Sequence, residues 1–142
     1  MTRLRHRLLV AALLTGVAVL ARAEDAPRTS LIDPAAGILT MVNVVTPEEG
    51  RKAETLAALQ AGMEDTMRHV PGFISANIHS SLDSDHIVVY AQWRSRAAVA
   101  AAVELVTSGK APAMAKAFSI AQPDFHPYEV VSVHTAAQSR DR

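Results

Sequence analysis

The sequence VPGFISANIHSSLDSDHIVVYAQWRS, from Val70 to Ser95, contains the signals that decide the fold. Pro71-Gly72 is typical of a helix end, and Ser95 can cap the helix that follows. Between these two signals, Phe73 to His79 alternates apolar and polar residues, and Ile87 to Trp93 reads as a second strand after a polar turn. The stretch therefore predicts a β-hairpin with a helix on either side.

The residues before this hairpin predict a strand followed by a helix. Gly37 to Val45 is β-branched and apolar, which favours a strand. Thr46 can then be the N-cap and Pro47 the first residue of a helix that continues to His69. Apolar residues recur along this helix at steps of three and four and predict one buried stripe, made of Leu56, Leu59, Met63, Met67 and Val70.

The residues after the hairpin complete the fold. A helix is predicted from Ser95 to Ser108-Gly109, with Val99, Val103 and Val106 as its apolar stripe. Lys110 to Ile120 can form another short helix. The last strand is predicted at Phe125 to His134. The order β-α-β-β-α-β predicts a ferredoxin-like α+β fold with a four-stranded antiparallel sheet. Because both helices cover one face of the sheet, the other face is available to a partner subunit.

Residues 1–23 predict a secretory signal. Basic residues precede the apolar run Leu8 to Leu20, and Ala21-Arg22-Ala23 supplies the small residues that precede cleavage after Ala23. A membrane anchor is the alternative, but this run is only about 20 Å long as a helix, against a hydrocarbon core of about 30 Å. We therefore expect a secreted or periplasmic protein without membrane contact after cleavage.

The remaining chain predicts one small domain at residues 37–134, preceded by a linker at 24–36 and followed by a polar tail at 135–142. The predicted signal holds four arginines and no acidic residue, so ten basic and fourteen acidic groups remain and the net charge is −4. Without a basic stripe, nucleic acid is not an expected partner. The absence of cysteine excludes disulfides and thiolate nucleophiles.

Motifs for cofactor binding are absent from the sequence. It has no G-x-G-x-x-G, no phosphate loop and no H-E-x-x-H, so we expect no cofactor. His79 and His86 flank the hairpin turn, but no third ligand accompanies them, so no metal site is predicted. Trp93 is either a core residue or a pocket wall, and Asn43 is a polar residue within an apolar strand that either bonds the backbone or faces a ligand cavity.

Two motifs of the hairpin closely resemble the antibiotic biosynthesis monooxygenase domain family. Members carry a V-P-G-F-x-S-A turn and a Y-A-Q-W-x-S strand end, which are Val70–Ala76 and Tyr90–Ser95 here. The resemblance implies a homodimeric α+β barrel, in which two subunits close their sheets face to face, with a ligand pocket between sheet and helices. It also implies cofactor-independent oxidation of an aromatic or quinol-like small molecule by O2.

The same resemblance implies a candidate site. Trp93 matches a pocket tryptophan of quinone-forming members, and Trp93 and Asn43 are the candidate catalytic residues, which would hold a substrate oxygen. His79 is a remote candidate base, because strand alternation places it opposite Ile78. The expected pocket residues are Met41, Ile78, Val89 and Val99, of which the last three stand where those members have polar side chains.

Two alternatives remain open. The three aliphatic replacements favour a non-catalytic dimeric module that binds a small molecule or serves a stress response. Haem binding is suggested by Asn43, which matches an asparagine of the haem-degrading branch. The tryptophan and histidine of that branch fall near Ala102 and in Ala111 to Lys116, where neither residue occurs, so haem is the weaker alternative.

Overall fold

One four-stranded antiparallel sheet organises the computed structural model, which describes residues 28–137. The strands stand in the order β2-β3-β1-β4 and are β1 (Leu39–Pro47), β2 (Phe73–Ser80), β3 (Ile87–Trp93) and β4 (Ala121–Tyr128). The helices are α1 (Lys52–Asp65), α2 (Arg96–Thr107) and α3 (Pro112–Ser119). The predicted ferredoxin-like α+β fold is therefore confirmed.

The core lies between the sheet and its helices. Val45 of β1 and Ile87 of β3 are opposite each other in the antiparallel ladder, and both are fully buried. Leu59 of α1 is buried with them in one hydrophobic cluster. Replacing such a side chain by alanine costs about 2–5 kcal/mol, so these residues fix the position of α1 over the sheet.

The first helix begins later than its sequence predicts. Pro47 is the last residue of β1, opposite Ala121 of β4, and the Glu48 N–H donates to the Ile120 carbonyl at 2.9 Å. The chain then turns at Gly50, whose φ is +72°, before α1 starts at Lys52. The predicted cap at Thr46 is wrong, because pairing with β4 keeps this part of the chain extended.

The second helix has the predicted cap, and two valines of its predicted stripe, Val99 and Val106, pack half-buried against the core. The Ser95 side chain accepts a hydrogen bond from the Ala98 N–H at 3.2 Å, as expected for an N-cap. Ala98 and Ala102 are the buried residues of α2, whereas Val103 is 54% exposed. Small side chains thus let α2 approach the sheet, and the predicted valine stripe lies at the edge of the contact.

The last strand is displaced toward the N-terminus of its predicted range. It runs from Ala121 to Tyr128, and its pairing with β1 ends at Thr40, opposite Tyr128. The residues up to His134, predicted as strand, have no β1 partner because β1 itself starts at Leu39. Pro123 and Pro127 obscured the strand pattern of this segment, because proline lacks the N–H that a strand donates. As an edge strand, β4 tolerates both prolines.

The sheet face opposite the helices is partly covered by residues 28–36, the N-terminal strap, which the sequence predicted as linker. Ser30 Oγ exchanges hydrogen bonds of 3.0 and 3.1 Å with the Asn77 side chain. The Gln92 amide donates to the Leu31 carbonyl at 2.9 Å, and Gln92 is only 2% exposed. The strap therefore makes specific contacts to β2 and β3.

The strap begins with an ion pair at the end of α1. The Arg28 guanidinium lies 3.0 Å from Glu64, which also pairs with Arg68. The Arg68 hydrogen bond and then the Arg28 contact hold the pKa of the Glu64 carboxyl below its ordinary value. Since a carboxyl with a lowered pKa stabilises the fold only while ionised, this anchor weakens as acidification protonates Glu64.

The predicted signal with its cleavage site after Ala23 lies outside the described residues, as do residues 138–142 of the predicted tail. Within residues 28–137, the helices are too short or too polar to span a bilayer.

Candidate active site

A cavity of about 160 Å³ lies between the sheet and the helices. Its lining is almost entirely apolar and comes from every helix and from three of the four strands. The lining residues are Met41, Asn43, Met63, Met67, Ala91, Trp93, Val99, Ala102, Val103, Val106, Met114, Phe118 and Phe125.

Strand alternation places the sheet side of this lining. Met41 and Asn43 are two apart on β1, and their β3 partners are Ala91 and Val89. Phe125 of β4 lies opposite Asn43 on the other side of β1. Because side chains on one strand point to the same face at every second residue, these residues all face the helices.

Asn43 is the polar residue of the lining. It is buried, and its side-chain carbonyl oxygen has no hydrogen-bond partner among the described residues. A buried acceptor without a partner costs about 1–3 kcal/mol of stability. Asn43 is thus a lining residue whose side-chain amide can form a hydrogen bond with a bound molecule.

Trp93 forms a rigid wall beside it. The indole packs edge-on against Phe73, with ring centroids 5.2 Å apart and an interplanar angle of 83°. Phe73 lies opposite Trp93 in the β2–β3 ladder, so the motif that contains Phe73 positions the tryptophan. Edge-to-face aromatic pairs contribute about 0.5–1.5 kcal/mol beyond their buried area, which favours one orientation of the indole.

Methionines form much of the helix side. Four of the chain's five methionines line the cavity, and the fifth is Met1. Met114 of α3 lies directly over Gly62 of α1, where a Cβ atom would stand 2.4 Å from both its Cγ and its Sδ. Methionine side chains are polarizable and make favourable sulfur–aromatic contacts, so this wall suits an aromatic ligand.

The cavity opens toward solvent at Val103 and Phe125, which are 54% and 44% exposed although they belong to the lining. Phe125 packs edge-on against Phe118 of α3 at a centroid distance of 5.2 Å. The mouth, defined as Val103, Phe118 and Phe125, is therefore apolar and aromatic. It lies between α2, α3 and β4.

An ion pair on the surface supports the contact between α1 and α3. Lys116 lies 3.0 Å from Glu54, which also pairs with Arg51 at 2.7 Å. The pKa of the Glu54 carboxyl is held below its ordinary value mainly by the Lys116 hydrogen bond. Burial partly opposes this shift, and Arg51 adds to it. The two helices that carry Gly62 and Met114 are thus linked outside the cavity as well as inside it.

The structure brings most of the predicted site residues together. Met41, Asn43, Trp93 and Val99 all lie on the lining. Val89 instead belongs to the packed core next to Asn43. Ile78 lies outside the cavity in a shallow depression shared with Gln60, Met63, Glu64 and Ala76, because α1 covers that part of the sheet.

Sequence reasoning missed the contribution of α3 and β4. Met114, Phe118 and Phe125 belong to a segment whose strand was placed four residues too late, so no pattern assigned them to the pocket. The signal that could have found them is compositional. Nearly all the methionines and two of the three phenylalanines are lining residues, while Phe73 supports Trp93.

The lining contains no titratable side chain. His79 lies opposite Val88 on the sheet face away from the helices, so it cannot reach a molecule in the cavity as a base. His86 contacts the Thr46 hydroxyl at 3.2 Å, at the far end of the hairpin. Among residues 28–137, no group of three His, Cys, Asp or Glu side chains is arranged to hold a metal ion.

The sequence model of the family described as antibiotic biosynthesis monooxygenase matches residues 38–111, slightly more than half of the chain. The chain belongs to this family. The resemblance identified at Val70–Ser95 is thereby confirmed, and the matched residues contain Asn43, Trp93 and α2, whereas Met114, Phe118 and Phe125 lie beyond them.

A curated relative agrees with this assignment. Tetracenomycin-F1 monooxygenase of Streptomyces glaucescens is 47% identical over 68 residues, which are 46% of this chain and 59% of that protein. The chain thus aligns with about three-fifths of this curated relative.

Solved structures share the fold. SnoaB, a cofactor-independent oxygenase from Streptomyces nogalater, superposes with a TM-score of 0.57 at 21% identity, covering 75% of this chain and 100% of its own. The ActVA-Orf6 monooxygenase of Streptomyces coelicolor, solved with nanaomycin D, gives a TM-score of 0.52 at 25% identity and covers 74% and 96%.

Proposed function

We propose that this protein is an exported, cofactor-independent monooxygenase that oxidises a hydroxylated aromatic small molecule with O2. The observation that carries the proposal is an apolar cavity lined by Trp93 and by the polar residue Asn43, whose buried side-chain oxygen has no partner among the described residues. A molecule that fits this cavity is apolar and planar enough to pack on aromatic walls, and it offers one hydrogen-bond donor to Asn43. Family membership connects such a cavity with oxygenase chemistry.

The proposed reaction needs little from the protein. The ionised substrate transfers one electron to O2, and the resulting superoxide and substrate radical combine at a ring carbon to form a peroxide. The peroxide anion takes back one proton from solvent and loses water, which leaves a quinone that keeps one oxygen atom of O2, so substrate plus O2 gives quinone plus water. Asn43 and Trp93 orient the ring, and the apolar walls exclude water from the radical pair.

Because no lining residue can accept a proton, the substrate loses its proton to solvent at or near the mouth. The test is O2 uptake by the purified protein with phenols and quinols, followed together with quinone absorbance. The rate should rise with pH along the titration of the substrate hydroxyl, and the midpoint should shift when a substrate of different acidity is used. Failure of a broad hydroxyaromatic panel to consume O2 above the uncatalysed rate would overturn the proposal.

The homodimer is part of the same proposal. The sheet face away from the helices carries the strap and exposes Val44 and Tyr128, and it also buries two hydroxyls without partners, Thr40 Oγ1 and Tyr90 Oη. A second subunit placed face to face would cover this surface, with an expected total interface of about 1,200–2,000 Å². A molar mass of one chain by light scattering at micromolar concentration would contradict it.

A second candidate is a non-catalytic module that binds the same kind of molecule. The apolar lining without a titratable residue favours it, since binding needs no base. This candidate predicts that a ligand raises the melting temperature without O2 consumption. Oxygen-dependent quinone formation at rates typical of enzymes, about 1 s⁻¹ or more, would exclude it.

A further inference from the structure

We infer that the substrate is a single-ring hydroxyaromatic whose apolar substituent extends out of the cavity through the mouth. The inference rests on the proposed function and specifies its substrate. It is carried by the volume of the cavity, by the position of its polar atom and by the composition of its opening.

The volume limits the number of rings. The cavity measures about 160 Å³. A buried apolar cavity of about 150 Å³ holds one benzene molecule, and pockets for drug-sized ligands measure about 300–1,000 Å³. One six-membered ring with its hydroxyl groups therefore fills the cavity, and the further rings of a three-ring compound would have to stand outside the mouth or displace a wall.

The walls that set this volume are well supported. Trp93 is held by Phe73, and Met67 is almost completely buried. Met114 packs directly against the backbone of Gly62, so its side chain has no room to move toward α1 and enlarge the cavity. To enclose a three-ring compound, the cavity would have to grow by the movement of several packed side chains together. A close-packed interior resists such movement.

The polar atom and the mouth set the orientation. Asn43 is buried on β1, one of the two central strands, whereas Val103 and Phe125 mark the exposed side of the lining. A ring hydroxyl bound to Asn43 leaves the opposite side of the ring directed toward Val103, Phe118 and Phe125. An alkyl substituent would pack there, while a carboxylate would find no cation among the lining residues.

Ligand binding can be measured without turnover. Trp93 is the chain's only tryptophan, so its fluorescence reports on the cavity. We would titrate the purified protein under anaerobic conditions with butylhydroquinone, naphthohydroquinone, anthrahydroquinone and a hydroquinone carrying a carboxylate on the same chain length. Butylhydroquinone should bind at least tenfold more tightly than the three-ring and the carboxylate compounds. Equal or tighter binding of the three-ring compound, or no binding of the single-ring compound, would overturn the inference.

Two variants test the volume directly. Met114→Ala should improve binding of naphthohydroquinone relative to butylhydroquinone by about tenfold, because it removes a wall. Gly62→Ala should weaken butylhydroquinone binding, since the added Cβ displaces the Met114 thioether toward the cavity. Val88→Ala, on the opposite sheet face, is the control and should leave both affinities unchanged. Thermal melts establish that each variant is folded, and unchanged ring selectivity in folded Met114→Ala would count against the inference.

The two proposals fail separately. Ring-size selectivity without O2 uptake would refute the monooxygenase and leave the single-ring site in place. Efficient O2 uptake with three-ring phenols would support the monooxygenase and refute the single-ring site.

Discussion

Replacing Asn43 by leucine should lower kcat/KM by about 10- to 100-fold while raising the free energy of unfolding by about 1 kcal/mol. Leucine has a similar size but no polar atom, so the bound hydroxyl loses its partner, and a hydrogen bond of this kind contributes about 1–3 kcal/mol. The free protein gains stability because the buried Asn43 oxygen has no partner to lose. Activity and stability thus change in opposite directions.

Oxygen uptake and urea unfolding measure the two effects. Thr40→Val is the matched control, because Thr40 is also buried in β1 and its hydroxyl oxygen also lacks a partner, but it faces the other side of the sheet. It should stabilise the fold to a similar extent and leave kcat/KM unchanged. If Asn43→Leu retained full activity, Asn43 would not contact the substrate.

This pairing of effects explains why a polar residue stands in an otherwise apolar strand. A sequence optimised for folding alone would carry an aliphatic residue at position 43, as it does at Val45 and Val89 beside it. Proteins commonly accept a local loss of stability where a site needs a polar group. The loss at Asn43 is offset by the packed core formed by Val45, Ile87 and Leu59.

The hairpin could be predicted from the sequence because its signals are local. Alternation along β2 and β3 fixes which side chains face the helices, and the Ser95 cap follows from the position of one hydroxyl before a helix. The same alternation places Met41 and Asn43 on one face of β1, and the structure shows that this face, with Trp93 of β3, is the one toward the helices. Placing Met41 and Asn43 on a shared face required no knowledge of distant contacts.

The rest of the site depends on contacts between distant segments. Alternation shows that Ile78 faces the helices, but only the course of α1 decides that it is outside the cavity. The extension of β1 to Pro47 results from pairing with Ala121, 74 positions later in the chain, which overrides the local helix-start signal. Met114, Phe118 and Phe125 meet only because α3 and β4 fold back onto α1 and β1.

Replacing Gly72 by alanine should lower the free energy of unfolding by about 2–5 kcal/mol. Gly72 has a φ of +90°, which costs a residue with a Cβ about 1–2 kcal/mol. The added Cβ would also stand 2.6 Å from the Cβ of Ala98 in α2, and such overpacking costs about 1–3 kcal/mol. The Arg94 N–H donates to the Gly72 carbonyl at 2.8 Å, so the glycine backbone cannot shift freely to relieve the contact.

Gly109→Ala separates the two causes. Gly109 has a φ of +76° at the other end of α2, but a Cβ there would meet no atom within 4 Å. It should lose only the backbone contribution, so urea unfolding should show a clearly smaller effect than for Gly72→Ala. Equal losses would mean that the Ala98 contact is not significant.

Because Ala98 holds α2 against the sheet and α2 carries Val99, Val103 and Val106 of the lining, Gly72→Ala should also weaken binding of the single-ring ligand in the folded fraction. Gly72 therefore connects the motif that identifies the family with the wall of the cavity.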